Sequence, residues 1–133
     1  MKTIGLASDH AGFELKQHVR NWLETGGYAY RDFGTYAEER CDYPDYAHPL
    51  AEAVEAGTVE AGIALCGSGN GISMTLNKHQ GIRAAICWNR ELATLSREHN
   101  NANVLVLPAR FVDRHTTEEM LEAFLSTAFS GGR

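Results

Sequence analysis

Four short apolar runs, separated by stretches of helical periodicity, constrain the fold of this 133-residue chain more than any other feature of its sequence. The runs are residues 4–8, 62–66, 84–88 and 103–107, and a fifth segment, 28–33, alternates apolar and polar residues. Short, nearly continuous apolar runs are typical of strands buried on both faces of a sheet. The sequence therefore predicts five strands, of which 28–33 has the weakest pattern.

Helical patterns lie between these runs. Their apolar residues form three groups: Leu15, Val19, Trp22 and Leu23; Leu92 and Leu95; and Leu121, Phe124 and Leu125. Residues three or four positions apart share one face of a helix, so each group predicts an amphipathic helix. Gly26 and Gly27 predict the end of the first helix, and the capping-box spacing of Thr116 and Glu119 predicts the start of the last.

Strands that alternate with helices predict a parallel sheet, because each parallel connection needs a crossover that places a helix on one face. The expected fold class is α/β: a three-layer α/β/α sandwich with a five-stranded parallel sheet, Rossmann-like, formed by residues 1–133 as a single domain. Hydrophobic residues make up 44% of the chain and charged residues 22%, which is typical of a packed globular protein.

Charge and cysteine content limit the expected partners. The formal net charge of -5 argues against general nucleic-acid binding, which needs a basic surface. The apolar run at the N-terminus is too short for a signal peptide or a membrane span. Cys41, Cys66 and Cys87 are odd in number and far apart, which favours reduced thiols in a cytoplasmic protein. We therefore expect neither nucleic acid nor a membrane as a partner.

The segment 34–49 carries charges and aromatic residues without a clear period, so it is predicted to be a long loop. Long loops in compact domains are uncommon and are often functional, which makes Asp42 and Tyr43 candidates for a site. The alternative is a surface excursion whose tyrosines only pack against the body of the protein.

Ligands of parallel α/β sheets bind beyond the carboxyl ends of the strands, and three junctions there are candidates. The first is Ser8-Asp9-His10-Ala11-Gly12, which places a carboxylate and an imidazole after the first strand. The alternative for Asp9 is that it only caps the following helix.

The second junction is the glycine-rich loop Cys66-Gly67-Ser68-Gly69-Asn70-Gly71, which follows the buried run 62–66. Alternating glycines let backbone N–H groups converge, and at a helix N-terminus these groups favour an anion. The loop lacks the spacing of the dinucleotide fingerprint and the lysine of a Walker loop. A lone cysteine is more often buried and inert, but the positive field of this loop can help Cys66 to lose its proton.

The third junction is 96–101, where His99 is either a functional imidazole or only a helix C-cap. The six histidines and three cysteines show no close ligand pairs in the sequence, so we expect no metal and no cofactor.

These motifs together closely resemble ribose-5-phosphate isomerase type B, within the wider ribose/galactose isomerase family. The resemblance runs from end to end, through residues 8–12, 42–44, 66–73, 77–78, 81–84, 96–100, 103–105 and 131–133. It implies an aldose–ketose isomerase of the pentose phosphate pathway, which interconverts D-ribose 5-phosphate and D-ribulose 5-phosphate through an ene-diolate. The implied ligand is a small sugar phosphate.

The resemblance also implies a role for each matching residue. Cys66 is the base at C2, Ser68 is a hydroxyl beside the substrate oxygens, and the amides of Gly67, Gly69, Asn70 and Gly71 belong to the oxyanion hole. His99, helped by Tyr43, opens the sugar ring, and Asp9 positions the sugar hydroxyls. His10, Arg110 and Arg133 bind the phosphate.

This chain differs from the family pattern at two places, and the family also predicts an oligomeric state. Relatives with a glutamate base carry it where this chain has Ile72, so Cys66 is the candidate base. Family members usually continue past Arg133 to a second phosphate-binding arginine, which leaves the phosphate affinity open. The family's sites lie between subunits, with His99, Asn100 and Arg110 reaching across, so a homodimer or a dimer of dimers is expected.

Three alternatives remain at this stage. The substrate could be a six-carbon sugar phosphate, such as allose or galactose 6-phosphate. A non-catalytic nucleotide- or phosphate-binding module would use the same glycine loop without needing Cys66. A cysteine hydrolase that pairs Cys66 with His99 would form an acyl-enzyme.

Overall fold

The computed structural model describes residues 2–131, and within this range it contains a five-stranded, all-parallel sheet. The strands are β1 (Thr3–Ser8), β2 (Ala29–Asp32), β3 (Ala61–Cys66), β4 (Ala84–Ile86) and β5 (Val104–Pro108). All five predicted strands are confirmed, with ends that differ from the prediction by one or two residues.

Four helices connect the strands and a fifth follows β5: α1 (Phe13–Thr25), α2 (Pro44–Glu55), α3 (Asn70–Leu76), α4 (Arg90–Glu98) and α5 (Arg114–Ser126). A short 3₁₀ turn (His10–Gly12) precedes α1. Gly26 caps the C-terminus of α1, as its position in the sequence predicts. None of the helices in residues 2–131 is long and apolar enough to cross a membrane.

The strand order is β2-β1-β3-β5-β4, so the chain leaves β1 in one direction to form β2 and then returns to add β3 on the other side. The loops after β1 and β3 therefore separate above neighbouring strands. Such a reversal opens a crevice at the carboxyl edge of the sheet, and this crevice is where ligands of open α/β sheets bind.

Side-chain alternation in the central strands builds a core on each face of the sheet. Ile63 and Leu65 point towards α1, α4 and α5, whereas Ala64 and Cys66 pack on the side of α2 and α3. Both cores are formed by fully or almost fully buried aliphatic residues. The predicted three-layer α/β/α sandwich is confirmed.

Two local predictions are wrong. The segment 34–49 is a loop only as far as Tyr43, because Pro44 begins α2 and Pro49 lies inside that helix. The prolines and charges made the helical pattern hard to recognise, although Ala47, Leu50 and Ala51 form its buried face. A proline at the first helical position costs no intrahelical hydrogen bond.

The last helix also starts earlier than its capping-box pattern predicts. Asp113 is the N-cap of α5, and its carboxylate accepts a hydrogen bond of 2.7 Å from the backbone N of Thr116. This bond lowers the pKa of Asp113, because it favours the charged carboxylate. Asp is as good an N-cap as Thr, and the structure uses the acidic residue three positions earlier.

Candidate active site

A cleft of about 430 Å³ lies at the carboxyl edge of the sheet, where the loops after β1 and β3 separate. Its walls come from four parts of the chain: the turn after β1, the start of α2, the glycine loop and the segment after β5. The lining residues are Asp9, His10, Ala11, Tyr43, Cys66, Gly67, Ser68, Gly71, Arg110 and Phe111. Eight of the thirteen residues predicted for the site therefore line one cleft. They are Cys66 and seven others, among them Asp9, His10 and Arg110.

Cys66 is the last residue of β3 and contributes to this lining with 5% of its surface exposed. Its side chain packs beside α2 and α3, on the same side of the sheet as Tyr43. Cys87 is different: it is 1% exposed, it lines none of the described clefts, and burial raises the pKa of its thiol to about 11. The two buried cysteines therefore have distinct surroundings.

The glycine loop turns sharply between β3 and α3. Gly69 has a φ of +82°, a conformation that residues with a side chain rarely adopt. The Ser68 hydroxyl accepts a hydrogen bond of 3.2 Å from the backbone N of Asn70, so Ser68 shapes the loop as well as lining the cleft. The Asn70 side chain faces a neighbouring groove rather than the cleft of Cys66.

Tyr43 covers one end of the glycine loop. A Cβ atom added to Gly71 would lie 2.6 Å from Cζ of the Tyr43 ring and 2.8 Å from its hydroxyl oxygen. Real Cβ contacts are not this short, so the absence of a side chain at Gly71 is what lets the tyrosine approach the loop. The candidate role of Tyr43 was predicted from the unusual loop, and the structure places its ring in the lining of the cleft.

Asp9 and His10 form the part of the cleft wall that follows β1. The carboxylate of Asp9 accepts a hydrogen bond of 3.1 Å from the backbone N of Gly12, so Asp9 caps the 3₁₀ turn and also lines the cleft. The capping role of Asp9 is confirmed, and its role towards a ligand stays a prediction. The ring Nδ1 of His10 lies 3.2 Å from both the backbone N and the backbone O of Cys41, which fixes this edge of the ring and leaves Nε2 for a ligand.

Arg110 lines the cleft of its own chain. Because β3 and β5 are paired, the chain after β5 passes beside the glycine loop, and the backbone N of Arg110 donates a hydrogen bond of 3.0 Å to the carbonyl of Gly67. Within its own chain the Arg110 guanidinium packs beside Gly67. The expectation that Arg110 also reaches into a neighbour's site stays a prediction. Arg110 and His10 can supply the donors that a phosphate requires.

His99 and Asn100 lie elsewhere. His99 is the C-cap of α4, and it precedes β5, so it lies near the amino edge of the sheet. The five residues of β5 span about 16 Å, which separates His99 from the Cys66 cleft of the same chain. The sequence argument was wrong to group this junction with those at the carboxyl edge.

Asn100 borders a different cleft, together with Arg83. The Arg83 guanidinium donates a hydrogen bond of 2.7 Å to the backbone carbonyl of Asn100, which holds this segment in place. Arg133, the remaining predicted phosphate ligand, lies outside the described residues.

The sequence argument missed an apolar groove beside the Cys66 cleft. It has a volume of about 490 Å³ and is lined by Ser68, Asn70, Ile86, Trp88, Pro108 and Phe111. Trp88 is 58% exposed and Phe111 is 74% exposed, although both are large and hydrophobic. Large aromatic residues shortly after the ends of β4 and β5 were a signal that could have indicated this surface.

A histidine pair was also missed, because its members are far apart in the sequence. Nδ1 of His48 lies 2.8 Å from Nε2 of His79, and Nδ1 of His79 lies 3.0 Å from a carboxylate oxygen of Glu55. These residues join α2 to the turn after α3. Residues 2–131 contain no group of three or more histidine, cysteine or acidic side chains arranged to hold a metal ion.

Comparison with known proteins assigns the chain to a family. Residues 4–133 match the profile of the family described as ribose/galactose isomerase. The chain belongs to the ribose/galactose isomerase family. Within this family, ribose-5-phosphate isomerase B of Escherichia coli strain K12 is 43% identical over 133 residues, which cover the whole of this chain and 89% of the relative.

Solved structures of the ribose/galactose isomerase family have the same fold. A ribose 5-phosphate isomerase from Thermotoga maritima has a TM-score of 0.98 and 47% identity, over 99% of this chain and 91% of that one. Ribose-5-phosphate isomerase B from Mycoplasma genitalium, solved with bound ribulose-5-phosphate, has a TM-score of 0.93 and 38% identity, over 98% and 88% of the two chains.

Proposed function

We propose that this chain interconverts D-ribose 5-phosphate and D-ribulose 5-phosphate through an ene-diolate, with Cys66 as the base. The observation that carries the proposal is the position of Cys66, which lines one cleft with the glycine loop, Asp9, His10 and Arg110. The relatives support the substrate, since one is named for ribose 5-phosphate and another was solved with ribulose-5-phosphate. The reaction belongs to the pentose phosphate pathway.

The reaction requires removal of a weakly acidic proton from C2 and its return to C1. A thiolate is a competent base for this step when the surrounding dipoles favour negative charge on sulfur. Cys66 precedes a loop whose backbone N–H groups are free of side chains at Gly67, Gly69 and Gly71. Cys66 lines the cleft at the end of β3, directly before this loop, and its thiol is a base of suitable chemistry.

The negative charge that develops on the sugar oxygens needs donors that are already oriented. Backbone N–H groups of the glycine loop can supply them without reorganisation, and the loss of one such donor costs about 3 kcal/mol of transition-state stabilisation in other enzymes. The positive φ of Gly69 and the packing of Tyr43 on Gly71 keep the loop in one conformation. The loop therefore suits an ene-diolate better than an uncharged intermediate.

The two ends of the substrate need different groups. Arg110 and His10 suit the phosphate, because a guanidinium offers parallel donors and the free Nε2 edge of His10 faces the same cleft. Asp9 can accept hydrogen bonds from sugar hydroxyls through the oxygen that does not cap the 3₁₀ turn. Phosphate binding far from the reacting carbons can then orient them.

A second subunit would complete the site. Ring opening needs a general acid, and His99 is the family's candidate, yet it lies at the opposite edge of the sheet from Cys66. The exposed Phe111 lines the Cys66 cleft, the exposed Trp88 lines the groove beside it, and together they offer an apolar surface to a partner. A homodimer, alone or within a dimer of dimers, would bury this surface and bring a neighbour's His99 and Asn100 to the cleft.

The three cysteines of the described chain are free thiols, which favours a reducing compartment such as the cytoplasm for this activity. No partner besides the sugar phosphate and a second copy of the chain is needed.

The proposal is tested by comparing substrates with the purified full-length chain. Ribose 5-phosphate should be converted with a higher kcat/KM than allose 6-phosphate or galactose 6-phosphate. A preference for a six-carbon sugar would favour the second candidate, which the description of the family as ribose/galactose isomerase keeps open. Absence of turnover on all three sugar phosphates would contradict the proposal.

Replacement of Gly71 by alanine should lower kcat/KM by roughly a hundredfold, because the new Cβ would meet the ring of Tyr43 and displace it from the loop. Steady-state kinetics and thermal unfolding measure the two effects separately. Gly81→Ala is the matched control: its Cβ would also make a close contact, 2.9 Å from Cγ of Glu55, but Gly81 does not line the Cys66 cleft. Equal kinetics for Gly71→Ala and the wild type would show that the Tyr43 contact is unimportant.

A further inference from the structure

Lys16 is a fully buried lysine that the proposed mechanism does not use. It lies in α1, and its side chain is 0% exposed, although lysine is among the residues least often buried. Its ammonium lies 2.6 Å from a carboxylate oxygen of Asp32 and 2.5 Å from the backbone carbonyl of Thr35. Lys16 does not line the Cys66 cleft, so it does not act on the substrate directly.

The partners of Lys16 organise the first part of the loop 33–43. The same oxygen of Asp32 accepts a hydrogen bond of 2.9 Å from the backbone N of Gly34. The Tyr36 hydroxyl donates a hydrogen bond of 2.9 Å to the carbonyl of Asp32, and the Tyr36 ring lies over the Lys16 ammonium at 5.5 Å. The end of β2 at position 32 and the loop positions 34, 35 and 36 are therefore held around one buried charge.

This part of the loop is also attached to the strand that leads into the site. Thr35 donates its backbone N–H to the carbonyl of Ser8 at 2.7 Å, and Ser8 donates to the carbonyl of Gly34 at the same distance. Ser8 is followed directly by Asp9 and His10. The loop then continues to Cys41, whose backbone lies 3.2 Å from Nδ1 of His10.

The buried charge is costly to maintain. Burial lowers the pKa of the Lys16 ammonium, and the carboxylate of Asp32 opposes that change. A neutral, apolar side chain at position 16 would remove the ammonium that donates to the carbonyl of Thr35. Asp32 would keep the backbone N of Gly34 at 2.9 Å and the Arg20 guanidinium at 3.7 Å, but it would lose its shortest ion pair. The loss of a partner from buried polar groups is strongly unfavourable. The loop would relieve this by moving away from β1.

We infer that Lys16 is a positioning residue for phosphate binding: it holds the loop 33–43 so that the backbone of Cys41 fixes the ring of His10 in the cleft. This inference rests on the proposed function, in which His10 binds the phosphate. Lys16 acts on the ligand only through the loop and His10. Its loss therefore weakens phosphate binding more than it slows proton transfer at Cys66.

The test compares Lys16→Met with Val19→Ala, which truncates a fully buried residue of the same helix without touching the loop. In Lys16→Met, the Kd for inorganic phosphate and the KM for ribose 5-phosphate should each rise about tenfold, while kcat changes by less than about threefold. In Val19→Ala, all three constants should stay within about twofold of the wild type. Hydrogen exchange at residues 34–41 should accelerate only in Lys16→Met.

A double-mutant cycle separates a positioning role from general destabilisation. In a His10→Ala background, Lys16→Met should cause no further rise in the phosphate Kd, because the two changes remove the same interaction. A further tenfold rise there, or an unchanged Kd in Lys16→Met alone, would overturn the inference. If Lys16→Met does not fold, Asp32→Asn weakens the same contact with less change of shape and should raise the Kd in the same direction.

The phosphate Kd and the hydrogen exchange do not depend on turnover. If the chain failed to isomerise any sugar phosphate, the proposed function would be contradicted. The phosphate Kd and the hydrogen exchange would still decide whether Lys16 positions His10. If turnover were normal and the Kd of Lys16→Met unchanged, only the inference about Lys16 would fall.

Discussion

Replacement of Cys66 by alanine is expected to lower kcat for the isomerisation by about 10³- to 10⁴-fold, because general acid–base groups contribute on this scale. No other side chain in the Cys66 cleft is placed at the end of β3 beside the glycine loop. The KM for ribose 5-phosphate should change little, since Asp9, His10 and Arg110 remain. Steady-state kinetics with ribose 5-phosphate measure both constants.

Cys87→Ala is the matched control for this experiment. It removes a thiol of equal size from an equally buried position, but Cys87 lies outside the cleft and the pKa of its thiol is raised to about 11. It remains a protonated thiol throughout the neutral range. Its kcat should therefore match that of the wild type. A loss of activity in both variants would point to damaged packing, and retained activity in Cys66→Ala would remove the cysteine base from the mechanism.

Mixing two inactive variants should restore activity if the site is shared between subunits. Cys66→Ala lacks the base and His99→Gln lacks the proposed acid, so each homodimer is inactive. After unfolding and refolding of an equal mixture, about a quarter of the sites should be intact, because half of the dimers are mixed and each mixed dimer pairs one intact Cys66 with one intact His99.

Recovery is expected because the two residues lie far apart within one chain. His99 follows α4 at the amino edge of the sheet, whereas Cys66 ends β3 at the carboxyl edge. The control is a mixture of Cys66→Ala with Cys66→Ser, which should stay inactive. If the Cys66→Ala and His99→Gln mixture also stays inactive while native mass spectrometry shows mixed dimers, the shared site is contradicted.

The strands could be predicted because buried parallel strands leave a strong local signal. Residues 62–66 and 103–107 are apolar at almost every position, and their burial on both faces of the sheet explains why. The segment 44–55 was missed as a helix because its periodicity rests on alanines and is interrupted by two prolines. Small residues pack α2 closely against the sheet but contribute little to a hydrophobic pattern.

The candidate site was predictable where its residues lie next to strand ends. Asp9, His10 and Cys66 follow or end β1 and β3, and a parallel sheet brings such ends to one edge. His99 also borders a strand, but it precedes β5 rather than follows it, and the direction of the chain decides the edge. In the sequence around His99, only the order of helix and strand indicates which edge of the sheet it occupies.

Lys16 could not be predicted as a buried residue. Its neighbours in α1 are a mixture of charged, polar and apolar residues. This pattern predicts that a lysine there lies on the solvent-facing side of the helix. The burial arises because Asp32 and Thr35, 16 and 19 positions later, bring acceptors to the same point. Interactions between residues this distant in sequence depend on the packed tertiary structure, as does the contact of His48 with His79.

The most direct test of the account is the loss of the C2 proton from ribose 5-phosphate in D₂O, followed by proton NMR. A base that removes this proton exchanges it with solvent during repeated turnover. The wild type and Cys87→Ala should replace the C2 proton by deuterium, while Cys66→Ala should leave it intact although the sugar phosphate still binds. Exchange by Cys66→Ala at the wild-type rate would show that another group removes the proton.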